Sequence, residues 1–151
     1  ATSGYATGGR DASNVIDKFP FSADAHATDV GDLTGGKFDA RSIGSSTNGY
    51  TVGGYQPGAG RINTIDKFPF ASNANAALYG GNTLAGIQNS GGMASNGISG
   101  YQFGGRSPTF PSVGLNGAVK AIQKFNYAVE GNATSVGITS RPRRGAICAA
   151  T

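Results

Sequence analysis

Twelve residues beginning at Asn14, "NVIDKFPFSADA", return at Asn63 as "NTIDKFPFASNA" and again from Ala121 in the blurred form "AIQKFNYAVEGNAT". A chain that writes one phrase three times is committed to a repeated unit, and such a unit cannot bury its apolar face alone, so neighbouring copies must stack. Further landmarks keep step with the phrase. Ahead of it stand "SGYATGGR" from Ser3, "NGYTVGGY" from Asn48 and "SGYQFGGR" from Ser99, which share a Gly-Tyr-x-x-Gly-Gly core. Behind it come "ATDVGDLT" from Ala27, "AALYGGNTL" from Ala76 and "ATSVGIT" from Ala133. A landmark of small residues closes each unit: "ARSIGSST" from Ala40, "GGMASN" from Gly91 and "GAICAAT" from Gly145.

Each landmark reads as one short strand, because apolar and aromatic residues gather over four to six positions between Gly, Asn, Ser or Pro. Helices are disfavoured by the 26 glycines, since each costs about 1 kcal/mol in a helix relative to Ala. The expectation is one all-β domain over residues 1–151, with units at about 3–47, 48–98 and 99–151. Four strands in roughly 50 residues is the size of a β-propeller blade. The small-residue landmark suits the strand nearest the propeller axis, where large side chains have no room. In the repeated phrase, Ile16, Phe19 and Phe21, with Ile65, Phe68 and Phe70, are expected to pack one blade on the next. Lys18, Lys67 and Lys124 share one phase and read as blade-edge charges.

The order "LTGGKFDARSIGSSTNGYTVGGY" followed by "INTIDKFPF" resembles a kelch repeat, with a basic residue before the inner strand and a double glycine. More narrowly, "GYxxGG", "IDKFPF", "ATDVGDL" and "SSTNGY" in this order resemble the kelch-like repeat proteins of marine bacteriophages, especially those infecting cyanobacteria. One departure is that no unit carries the tryptophan usual in kelch blades. The resemblance implies a kelch-like propeller with three four-stranded blades per chain. It also implies a non-enzymatic virion component, namely a fibre, decoration or adhesin module located on the particle or outside the cell. A secreted kelch-like carbohydrate-binding or hydrolytic propeller is the alternative.

The ends of the sequence are in phase. "AAT" at residues 149–151 and "AT" at residues 1–2 both align with "SST" at 45–47, so one blade is expected to be split between the termini. Three blades are fewer than the usual four to eight. The expected closure is a homodimer that completes a six-bladed ring, which leaves no sheet edge exposed.

Enzymatic chemistry finds little purchase. His26 is the only histidine and Cys148 the only cysteine, so neither a multi-histidine metal site nor a disulfide is supported, and no cofactor is expected. Glu130 is the only glutamate beside seven aspartates, and His26 lies in "SADAHATD", a turn without a nucleophile elbow. No apolar run reaches the length of a membrane span. The formal charge of +4 is modest and lacks the dense basic clusters of nucleic-acid binders. What remains is a surface. Arg10, Arg61, Arg106 and Lys120 fall after the second strand of each unit, while Lys37, Arg41, Arg141, Arg143 and Arg144 fall in or beside the links between units. These positions are expected to share one face, with Asp24, His26, Asp29 and Glu130 on the other. Such a face would meet an acidic host-surface glycan or another virion protein. Its most divergent parts are "RSPTFPSVGLNGAVK" from Arg106 to Lys120 and "RPRR" from Arg141 to Arg144, and loops that break a repeat are free to carry binding.

Overall fold

The computed structural model describes residues 2–88, 91–109, 117–143 and 145. Its strands form three antiparallel sheets in chain order. The first sheet contains β1 (Ser3–Thr7), β2 (Val15–Pro20) and β3 (Thr28–Asp32). The small-residue strand β4 (Arg41–Gly44) does not join it. Instead it opens the second sheet, in the order β4-β5-β8-β9, where β5 is Asn48–Val52, β8 is Thr64–Pro69 and β9 is Ala77–Asn82. The third sheet repeats the pattern with β10 (Gly92–Ser95), β11 (Ser99–Phe103), β12 (Val119–Asn126) and β13 (Thr134–Arg143). A two-stranded ribbon, β6 (Tyr55–Gln56) and β7 (Gly60–Arg61), fills the β5–β8 connection. The segment "GAICAAT", expected to be a further inner strand, lies outside the described residues except for Gly145.

The register is the same in all three sheets, and the sequence explains why. Gly4 faces Phe19, Gly49 faces Phe68 and Gly100 faces Phe125, while the next residues pair as Tyr5 with Lys18, Tyr50 with Lys67 and Tyr101 with Lys124. The phenylalanine ring lies flat across its glycine, so that a methyl at Gly4, Gly49 or Gly100 would collide with it. Slipping by one residue would put a side chain under the ring and turn every apolar residue to the wrong face. The double glycine turns the chain just after the strand that bears this glycine. Gly8, Gly53 and Gly104 adopt φ of 63°, 61° and 66°, a left-handed turn open to Gly without penalty. Gly9, Gly54 and Gly105 then donate their N–H groups to the carbonyls of Lys37, Ile87 and Arg143. The motif thus ties the middle connection to the link that leaves the unit in the first two units, and to the end of β13 in the third.

Sheets pack face to face at two junctions. Between the first and second, Ile16 and Leu33 are buried with Phe68, flanked by Tyr5, Val30, Phe70 and Ala76. Between the second and third, Tyr50, Val52, Ile65 and Tyr79 are buried with Phe125, Tyr127 and Ala133. Burying each such side chain stabilises by roughly 1.5–3 kcal/mol. The repeated phrase therefore supplies both halves of a junction, with isoleucine facing forward and the phenylalanines facing back.

Candidate functional site

In an antiparallel meander the connections alternate between the two ends of a sheet. The β1–β2, β5–β8 and β11–β12 connections consequently share an end with the links β3–β4 and β9–β10. Main-chain bonds fasten the neighbours together there: Phe38 pairs with Tyr55, and Gln88 with Arg106.

At this end a cleft of about 970 Å³ is lined by Thr7, Arg10, Asp11, Ala12, Phe38, Asp39, Arg41 and Pro57, among others. The volume is that of a small-ligand site. Asp11, Ala12 and Asp39 have φ of 63°, 55° and 56°, and they are all the non-glycine residues with positive φ among those described. Left-handed backbone costs an L-residue roughly 1–2 kcal/mol, and such strain gathers where a site must be held in shape. Asp39 is also fixed by Gln88, whose Nε2 donates to its Oδ2 at 2.8 Å. The cleft wall therefore alternates arginine with aspartate and can engage a ligand bearing both hydroxyl and acidic groups. Nothing in "GGRDASN" or "KFDAR" announces the unusual backbone; the only signal is an Asp, which tolerates that conformation better than most residues.

The sequence-predicted residues are distributed unevenly. Arg10 is exposed in a short 3-10 turn (Arg10–Ala12) and lines the cleft beside Arg41. Arg61 is half-buried on β7, with its Nε enclosed and without a hydrogen-bond partner among the described residues. Arg106 is exposed and bridges Gln88 and Ala118 through its main chain. Lys120 belongs to β12, and Arg141 and Arg143 to the end of β13, so strands rather than loops carry them. Arg144 lies outside the described residues, as do residues 110–116 of the long loop. Lys37 borders the cleft, but its side chain is turned inward, away from the face. That side chain is 1% exposed, and its ammonium donates to Asp66 Oδ2 at 2.8 Å, where Thr34 also donates to the same carboxylate through its N–H and hydroxyl.

At the opposite end lie the turn carrying Asp24 and His26, and Glu130, which accepts from Lys67 at 3.0 Å. Among the described residues no three His, Cys, Asp or Glu side chains gather in a group able to hold a metal ion. No helix there is long and apolar enough to cross a membrane.

No protein-family model and no curated protein matches the chain. Solved structures do. One, titled "Structure of YjhT", aligns over 92% of this chain with a TM-score of 0.72 at 16% identity. The alignment covers 52% of that protein, so this chain spans about half its length. At that identity the likeness is one of fold.

Proposed function

We propose that the three sheets are blades of a kelch-like β-propeller, and that the protein is a non-enzymatic phage virion component of the fibre, decoration or adhesin kind. In this reading it presents its cleft end to an acidic glycan of the host surface or to another virion protein. The blade assignment draws on the repeat, on the matched registers and on likeness to a structure of β-propeller-like fold. The phage assignment draws on the resemblance of the repeated phrases.

The observation that carries the binding role is a division of labour within the repeat. The repeated residues that face a neighbouring sheet are consumed in the two junctions, while the strained backbone is concentrated around one cleft bearing Arg10 and Arg41. Arginine's planar fork grips a carboxylate with two hydrogen bonds, and the paired aspartates accept from sugar hydroxyls.

Polygalacturonate oligosaccharides provide the test, with binding followed by calorimetry. Native protein is expected to bind, and Arg10→Ala with Arg41→Ala to weaken binding about tenfold or more, since a hydrogen bond to a charged group is worth about 1.5 kcal/mol or more. Added salt should reproduce part of the loss. Equal binding by the double variant at low salt would remove the cleft from consideration, and absence of the protein from purified particles would overturn the virion assignment.

A further inference from the structure

The two junctions inside the chain follow one template. Tyr5 stacks on Phe70 across the first, with ring centroids 4.8 Å apart, and Tyr50 stacks on Tyr127 across the second, also at 4.8 Å. Lys18 reaches Asn73 at 3.5 Å and Lys67 reaches Glu130 at 3.0 Å. The N–H of Asp32 donates to Asn75 Oδ1 and that of Asn82 to Asn132 Oδ1, while Ala76 and Ala133 return main-chain bonds to Asp32 and Asn82. Lys37, held by the double glycine, pairs with Asp66. In the second junction Ile87 stands where Lys37 does and Gln123 where Asp66 does, and Gln123 accepts from the N–H of Leu84.

Two faces are left over, and the template can be laid on them position by position. On the third sheet Tyr101 corresponds to Tyr5 and Tyr50, Lys124 to Lys18 and Lys67, and Arg143 to Lys37, its carbonyl accepting from Gly105 as that of Lys37 does from Gly9. On the first sheet Asp17 corresponds to Asp66, Phe21 to Phe70 and Tyr127, and Asp24 to Asn73 and Glu130. The residues meant to be covered are bare. Phe21 is 60% exposed and Val136 49%, whereas their counterparts inside the chain, Phe70 and Tyr127 for the first and Val30 and Tyr79 for the second, lie in junctions. Both charged positions come out complementary, Arg143 against Asp17 and Lys124 against Asp24. Random surface charges have no reason to do so at two template positions at once.

We infer that the third sheet of one copy docks on the first sheet of a second copy, with Tyr101 stacked on Phe21 and with Arg143 and Lys124 paired to Asp17 and Asp24. The inference rests on the blade reading above but is independent of what the cleft binds. A head-to-tail contact closes into a ring or grows into a filament, according to its rotation. One chain spans about half the length of a similar structure, so two copies have about that length, and a pair joined by two identical joints is the closed solution.

Sedimentation of the 151-residue chain should give twice its mass of 15.1 kDa. Asp17→Arg alone and Arg143→Asp alone each set like charges across both joints, and each is expected to weaken dimerisation at least tenfold. Mixed in equal amounts they should restore the dimer, because one joint then keeps the native pair and the other carries it reversed. Circular dichroism confirms that each variant folds. If either does not, Asp24→Lys and Lys124→Glu repeat the design at more open positions. A native chain that is monomeric at tens of micromolar, a mass that climbs without limit with concentration, or folded variants whose mixture fails to pair would overturn the inference. A monomer that still binds polygalacturonate would do so while leaving the binding role intact.

Discussion

At the residue scale the defining contact is a ring over a bare backbone. Phe19, Phe68 and Phe125 cover Gly4, Gly49 and Gly100, which leaves each ring free to reach its neighbour at the next phenylalanine or tyrosine of the phrase. Those neighbours meet edge to face, with centroids 5.7–5.9 Å apart in all three sheets, the arrangement that aromatic quadrupoles prefer. The glycine and the phenylalanine are thus one device split over two strands. Gly49→Ala should be costly, because its methyl collides with Phe68 at the buried first junction. Overpacking a core costs about 1–3 kcal/mol, and the urea midpoint should fall accordingly. Gly131→Ala is the matched control. It meets nothing within 4 Å, so it should be neutral or add up to about 1 kcal/mol by restricting the unfolded chain. Equal effects at the two sites would refute the ring-on-glycine account.

At the element scale, the link that leaves each sheet acts as a latch on the next one. Lys37 and Thr34 converge on Asp66 in the first junction, whereas the second uses Ile87 and Gln123. A buried ion pair contributes little net stability, yet losing one partner strands the other at a cost of about 3–5 kcal/mol. Lys37→Ile alone, or Asp66→Gln alone, should therefore be strongly destabilising. The two together copy the second junction into the first, and should recover most of the loss in a double-mutant cycle by chemical denaturation. Additive losses would mean that the latch does not work as a pair. This device was half legible in the sequence. The basic residue of "GGKF" was visible, but period and composition place it on a surface, since nothing local signals that Asp66, 29 residues away, will bury it. Strands carrying the full phrase were readable from alternation and glycine spacing. The β9 landmark "AALYGGNTL" shares little with "ATDVGDLT", and the β6–β7 ribbon has no local signature, because both depend on tertiary pairing more than on local pattern. Of the candidate site, Arg10 was readable as an exposed loop cation, while the left-handed Asp11, Ala12 and Asp39 became visible only in the backbone.

Across the whole molecule, stability is distributed along one dimension, because each sheet leans only on its sequence neighbours and the two junctions share the load. They are not equal. The second junction buries Tyr50, Tyr79 and Tyr127 around Phe125, and Tyr79 donates to the carbonyls of Asn126 and Val129. Burial raises the pKa of all three phenols above the ordinary value of 10.0, as the leading cause in each. In the unfolded chain these hydroxyls give up their protons near pH 10, while the folded chain holds them to higher pH. Above pH 10 the unfolded state thus binds fewer protons, and stability must fall as pH rises. The contribution is fully present below pH 10 and is lost as pH climbs through the folded-state values. The urea midpoint should accordingly be level from pH 7 to 9 and drop beyond about pH 10. The informative comparison is between the native chain and Tyr50→Phe, which differ in one phenol alone. Tyr50 is fully buried, and its phenylalanine variant removes one titrating hydroxyl while keeping the ring that stacks on Tyr127. Its midpoint should decline less steeply above pH 10, and parallel curves for the two proteins would show that the tyrosine junction is not what alkali opens.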